Sequence, residues 1–211
     1  MHRIAFFVLF LFFSHNTFAN DSATNRDNNV LGFDVGYSPM SLPLPGTKFA
    51  SVFFNINSDW QFGFEYANTT LGLTAFSFEF GEVNEYSRGL KLRYFTGNSF
   101  NWIMGYGRRD TLFKLPGDLF DLVTHEYSNV ATRTRTDYVQ VGMGNQWQWD
   151  NGFGLAIDWI TINVPIDGKV TTSADRYTDN EDDAKEVRRL EDIVAWYPQF
   201  WVVAVKIGYS F

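Results

Sequence analysis

The chain has 211 residues, with 17 Lys and Arg set against 24 Asp and Glu, for a net charge of −7. That balance argues against a nucleic-acid partner, and the absence of cysteine excludes disulfide staples and thiol chemistry. Aromatic residues are abundant, at 22 Phe, 10 Tyr and 7 Trp, yet apolar runs beyond the first twenty residues are short and interrupted. Such segments suit one domain of antiparallel strands.

Taken in order, Met1-His2-Arg3 is a basic start, Ile4 to Phe13 is unbroken apolar sequence, and Thr17 and Ala19 supply small residues before Asn20. This is the three-part pattern of a secretory signal peptide, expected over residues 1–19. The apolar run is too short to span a bilayer as a helix, which takes ~20 residues. Residues 20–29 read as a polar, flexible leader, and residues 30–211 as the folded domain.

Alternation then begins. Leu31, Phe33, Val35 and Tyr37 share one face of a first strand, with Gly32, Asp34, Gly36 and Ser38 opposite, before Pro39, Pro43, Pro45 and Gly46 break it. Ala50, Val52, Phe54 and Ile56 mark a second strand, ending at the turn Asn57-Ser58-Asp59. Trp60, Phe62, Phe64 and Tyr66 mark a third, with Gln61, Gly63 and Glu65 on the other face. An insertion from Asn68 to Tyr86 holds Phe76, Phe78 and Phe80, whose parity continues into Leu90, Leu92 and Tyr94. One long fourth strand through both is therefore an option. After the turn Thr96-Gly97-Asn98 comes a fifth strand with Phe100, Trp102, Met104 and Tyr106. A second insertion follows, from Arg108 to Arg135. Val139, Val141, Met143, Trp147 and Trp149 mark the sixth strand, Asp150-Asn151-Gly152 a tight hairpin, and Phe153, Leu155, Ile157 and Trp159 the seventh. A third insertion, Val164 to Gln199, leads to the last strand. There Trp201, Val203, Val205, Ile207, Tyr209 and Phe211 face one way, and Val202, Ala204, Lys206, Gly208 and Ser210 the other.

The tight turns separate strands two and three, four and five, six and seven, while the longer connections fall at the opposite end. Short turns at one end, longer loops at the other and an apolar face opposite a small or polar face are the pattern of a transmembrane β-barrel. The expected fold is all-β: an eight-stranded antiparallel up-and-down transmembrane barrel. A ten-stranded count needs Thr74 to Phe80 as its own crossing plus a further strand in an insertion, where no clean alternation exists. Trp60, Phe100, Trp102, Trp147, Trp149, Phe153, Tyr209 and Phe211 fall near the turn ends of their strands, and Tyr37, Tyr66, Tyr106, Trp159 and Trp201 near the loop ends. Two such belts are where amphipathic rings sit at membrane interfaces. A soluble ligand-carrying barrel would put its apolar residues inside instead.

A terminal Phe211, with Tyr209, Ile207 and Val205 at every second position before it, resembles the outer-membrane assembly signal. The chain from 30 onward resembles the small eight-stranded outer-membrane proteins of the OmpA-barrel and OmpX type. That resemblance implies a bacterial outer-membrane location and a structural or surface-interaction role as a monomer. It implies contacts with outer-membrane lipid, lipopolysaccharide and the barrel-assembly machinery, and through the loops with extracellular proteins. With Phe211 in the last strand, no cell-wall-binding domain is expected to follow.

The inward face carries Asp34, Glu65 and Asp158 against Lys91, Arg93 and Lys206. An eight-stranded barrel is just wide enough to be filled by side chains, and unpaired buried charge is costly. The six are expected to meet as a plug. The inward glycines leave room for the alternative, a narrow channel for small or apolar solutes. A second alternative is a lipid-modifying enzyme resting on His125, in His125-Glu126-Tyr127-Ser128. This spacing departs from the His-x-Ser pattern of lipid A deacylases and lies in a loop, so a solvated loop histidine is the simpler account. No cofactor is expected. The acidic run Asp179 to Asp183 lacks the glycine and spacing of a calcium loop, so no metal site is expected either. Pro116 to Val123 reads as a short amphipathic turn, and Val187, Leu190, Val194 and Tyr197 as a loop helix after Asp183. Arg108, Arg109, Arg133 and Arg135 flank the second insertion at the outer rim, where lipopolysaccharide phosphates would lie.

Overall fold

The computed structural model describes residues 21–75, 78–115, 130–172 and 195–211. The expected signal peptide, His125, the turn at 116–123, the acidic run and the loop helix up to residue 194 lie outside them. Nine strands form one closed antiparallel sheet: β1 Leu31–Ser38, β2 Met40–Leu42, β3 Thr47–Asn55, β4 Trp60–Ala75, β5 Phe78–Phe95, β6 Phe100–Leu115, β7 Val130–Gln148, β8 Phe153–Thr172 and β9 Gln199–Ser210. The order is β1-β3-β4-β5-β6-β7-β8-β9, and β9 pairs back with β1 from Gly32↔Ser210 to Tyr37↔Val205. β2 continues β1 along β9 beyond Pro39, from Met40↔Val202 to Leu42↔Phe200, so the wall has eight members. The structure bears out the eight-stranded barrel.

The outward face is the apolar one. Phe33, Val35, Val52, Phe64, Leu90, Trp102, Val141 and Ile207 are all exposed, whereas the fully buried side chains include Arg26, Lys206, Gln148, Gln199, Asn101 and Asn163. A water-soluble fold buries these classes the other way round. Period-two alternation sorts them, because successive side chains leave a strand on opposite faces. The architecture is that of a transmembrane β-barrel.

Where they are described, the insertions expected at 68–86, 108–135 and 164–199 are mostly strand. β4 and β5 stay paired from Trp60↔Tyr94 to Ala75↔Phe78, so the single long fourth strand is the version found. β6, β7 and β8 likewise run on to Leu115, back to Val130 and on to Thr172. Beyond the apolar band the outward residues turn charged while Thr and Tyr keep β-propensity high. The hydrophobic alternation therefore ends before the strands do.

Two tryptophans differ from expectation. Trp201, expected in an outward belt, is only 3% exposed and packs edge-on against Phe49 inside the barrel, at 5.1 Å between ring centroids. Trp159, also expected outward, is half-buried, and its indole N–H donates to Asn145 Oδ1 at 2.8 Å. The cause is a position that drops out of the ladders, with a register shift on the β7 side. β8–β9 pairing passes from Asp158↔Ala204 to Ile160↔Val202, skipping Trp159 and Val203, and Val203 has φ of 57°. β7–β8 pairing passes from Met143↔Ile160 to Gly144↔Asp158 and again skips Trp159. Irregularities of this kind exchange the faces for everything beyond them.

Residues 21–29, expected as a flexible leader, carry a helix instead, α1 at Ser22–Asn28, seated over the turn end of the barrel with Ser22 and Arg26 fully buried. Burial pushes the Arg26 guanidinium down to about 10, against the opposing pull of Asp59 and Asp27, so it stays charged at neutral pH.

Candidate functional site

Five of the six predicted lumen charges meet midway along the barrel. Lys91 Nζ lies 2.6 Å from Glu65 Oε2, and Lys206 Nζ donates to the same oxygen. Arg93 holds Asp158 with two nitrogens, Nη1 at 2.8 Å from Oδ1 and Nη2 at 3.0 Å from Oδ2. Lys206 and Lys91 reach Asp158 Oδ2 at 3.3 and 3.6 Å. Each carboxylate thus serves more than one cation, which lets two acids hold three bases. Asp34, the sixth, makes no ion pair within 4 Å among the described residues and instead accepts the Ser51 hydroxyl from the neighbouring strand. Its nearby charge balances the set at three against three.

The inward glycines do not leave a channel. A Cβ on Gly36 would lie 2.5 Å from Lys206 Cγ, and one on Gly107 would lie 2.6 Å from the Tyr138 ring. Glycine at these positions admits a large neighbour from the adjacent strand. Three cavities bordering the charge layer measure about 10 Å³ each, room for about one water apiece.

A second polar layer fills the loop end and was not anticipated. Glu85 accepts from Gln199 Nε2 and from Thr111 Oγ1, and Arg109 Nε lies 3.8 Å away. Gln199 Oε1 accepts from Asn163 Nδ2, and Asn163 Oδ1 from Gln140 Nε2, each at 3.1 Å. The segment before β9 folds over this layer: Arg109 Nη2 donates to Tyr197 O at 3.0 Å, and Thr136 Oγ1 to Ala195 O at 3.1 Å. Arg109 is therefore 4% exposed and faces the lumen, which removes it from the expected lipopolysaccharide rim. Its parity was readable. Glu85, Ser87, Lys91 and Arg93 share one face of β5, and Arg109 lies opposite Ser87 in the ladder.

The other three rim arginines do face outward, just beyond the apolar band. Arg108 holds Asp137 with two nitrogens at 2.6 and 2.9 Å, and Arg133 and Arg135 both reach Asp110 Oδ1 at 3.1 Å. The Arg108 hydrogen bonds hold the Asp137 carboxyl below the usual carboxylate range, and Asp137 in turn raises Arg108. For Asp110, partial burial raises the carboxyl, but Arg135 and Arg133 together bring it below the ordinary value. Arg108 faces Arg88 on the adjacent strand, so the row keeps basic character despite its carboxylates. Tyr209 and Phe211 also lie outward, at the turn end beside β1, where Phe211 N donates to Leu31 O at 2.8 Å.

No family model matches the sequence, and no curated protein matches it. Among solved structures, the fold is similar to the N-terminal β-barrel domain of Pseudomonas aeruginosa OprF, at 9% identity, over 87% of this chain and 98% of that one, with a TM-score of 0.47. It is similar also to the Yersinia pestis outer membrane protein Ail in a phospholipid bilayer nanodisc, at 12% identity, over 87% and 99%, with a TM-score of 0.45. Identities this low lend neither protein's activity to this chain.

Proposed function

We propose that this chain is an integral barrel of the bacterial outer membrane with a sealed lumen, acting through the surface it presents at its loop end. The observation that carries the reading is the stack of buried polar layers. Glu65, Lys91, Arg93, Asp158 and Lys206 occupy the middle, and Glu85, Arg109, Asn163 and Gln199 the loop end. In an eight-stranded wall such side chains use up the interior. Purified protein in a planar bilayer is expected to stay silent; regular unit conductance steps would overturn the reading in favour of a narrow channel.

The loop end supports the surface role. β4 pairs with β3 only as far as Lys48↔Asn68, and β8 with β9 only as far as Asn163↔Gln199. Among the described residues, the remainders of β4 and β8 are paired on one side only. Unpaired strand edges accept an added strand from a partner through main-chain hydrogen bonds, which suits extracellular proteins.

Lipopolysaccharide is the second partner this reading assigns, through Arg108, Arg133 and Arg135. Guanidinium forks match phosphate geometry, and exposed pairs with carboxylates are weak enough to exchange. Replacing all three with Ala is expected to weaken binding to lipopolysaccharide-containing vesicles by about tenfold or more, given ~1.5–3 kcal/mol per charged hydrogen bond. Binding to phosphatidylcholine vesicles is expected to be unaffected. Equal affinity of parent and variant for the lipopolysaccharide vesicles would remove the assignment.

A further inference from the structure

α1 is a short helix built from Ser22-Ala-Thr-Asn-Arg-Asp-Asn28, with two good helix formers, Ala23 and Arg26, in seven residues. A helix of this length and composition does not hold by itself in water. Its stability comes from what it touches, and it touches all three tight turns. Arg26 Nε donates to Ser58 O at 2.7 Å in the β3–β4 turn. Arg26 Nη1 and Nη2 donate to Asn98 O at 2.9 Å and Gly97 O at 3.4 Å in the β5–β6 turn, and the guanidinium carbon sits 3.7 Å from the Phe95 ring centroid. At the β7–β8 turn, Asn25 Nδ2 donates to Gln148 O and Asp150 Oδ1, both at 2.9 Å, and Gln148 Nε2 donates to Asn25 O at 3.1 Å. Ala23 N donates to Asn98 Oδ1 at 3.1 Å.

These acceptors lie 32 to 125 residues away in sequence, so they come together only when the strands have paired. The dependence does not run the other way, because the hydrogen-bonded ladders of the wall close through β1 and β9 without α1. Beneath α1 lie Asn55, Gln61, Phe95 and Asn101, all buried, and then Arg93 of the charge layer. We propose that α1 is a latch that docks onto the finished barrel, with Arg26 as its bolt, and closes the turn-end mouth over the charge layer.

The latch makes a prediction about access that the wall alone does not. The absence of cysteine permits clean single reporters. Gln61→Cys would sit under α1, and Thr134→Cys would sit in the loop half, at positions 3% and 1% exposed. The full chain is placed in phosphatidylcholine nanodiscs, where both mouths meet water, and exposed to a charged, membrane-impermeant maleimide. Adding Arg26→Ala is expected to speed labelling of Gln61→Cys by at least about tenfold, the effect of losing one charge-assisted hydrogen bond. Labelling of Thr134→Cys is expected to stay at its parent rate. Asn25→Ala, which removes the Gln148 and Asp150 bonds alone, is expected to give a smaller rise at Gln61→Cys. Unchanged labelling of Gln61→Cys would overturn the latch, as would both reporters rising together. An Arg26→Ala chain unable to form the heat-resistant barrel would overturn it too, since the wall would then depend on the helix.

Discussion

Asp158→Ala is expected to destabilise the barrel by about 3–5 kcal/mol, the usual cost of stranding buried charge. Asp158 is 2% exposed and is the acceptor shared by Arg93, Lys206 and Lys91. Without it, Arg93 keeps a hydrogen bond to Asn101 Oδ1 at 2.8 Å but loses its hydrogen bond to Asp158 Oδ2 and its ion contact with Oδ1. Glu65 alone must then answer Lys91 and Lys206, with Asp34 turned toward Ser51. For a domain stable by ~5–15 kcal/mol, that is a large fraction of the total. Urea titration of protein in detergent micelles, followed by tryptophan fluorescence, measures it as a lowered midpoint. The double change Arg93→Met with Asp158→Leu removes charge from both sides and is expected to cost less than the sum of the two single changes. A midpoint for Asp158→Ala within error of the parent would show that the network carries no stability.

Removal of Phe211 is expected to lower the yield of assembled barrel several-fold. Phe211 closes the seam between the last strand and the first: its N–H donates to Leu31 O at 2.8 Å, and its carbonyl accepts from Leu31 N at 3.1 Å. Two backbone hydrogen bonds are worth about 1–3 kcal/mol together, and this pairing has the greatest sequence separation in the wall. Loop-closure entropy makes such a contact the costliest to form. The side chain adds a lipid-facing aromatic next to Tyr209, the pair expected to be read by the assembly machinery. Quantifying the heat-modifiable band in outer-membrane fractions tests this, and parent-level amounts would count against both the seam and the signal. Phe211→Ala separates them, because it keeps the backbone bonds and loses the aromatic ring.

Most of the wall was legible from alternation. The parity that put Asp34, Glu65, Lys91, Arg93, Asp158 and Lys206 on one face holds, and so does the even strand count derived from three tight turns. Strand length was less legible, since Thr-rich stretches above the band, such as Thr132, Thr134 and Thr136 on β7, alternate without an apolar face. Parity carried upstream along β5 would have found Glu85, and through the ladder to β6 it would have turned Arg109 inward. Trp159 and Trp201 were not recoverable that way. Nothing local to Asp158-Trp159-Ile160 or Val202-Val203-Ala204 marks the skipped pair.

By itself, the sequence determined which side of the wall each regular residue faces, and hence that apolar surface lies outside and charge inside. That is a local property, set by the two-residue period of an extended chain. Tertiary structure alone decided which inward charges meet, because the partners lie 26 residues apart for Lys91 and Glu65 and 141 apart for Lys206 and Glu65. Their meeting depends on the stagger with which eight strands close into a ring, and that stagger includes the β7–β8 register shift between Met143 and Gly144. The helix over the turns belongs to the same category. Ser22–Asn28 has no strong helical signal of its own, and its conformation follows from turns that exist only once the ring is complete.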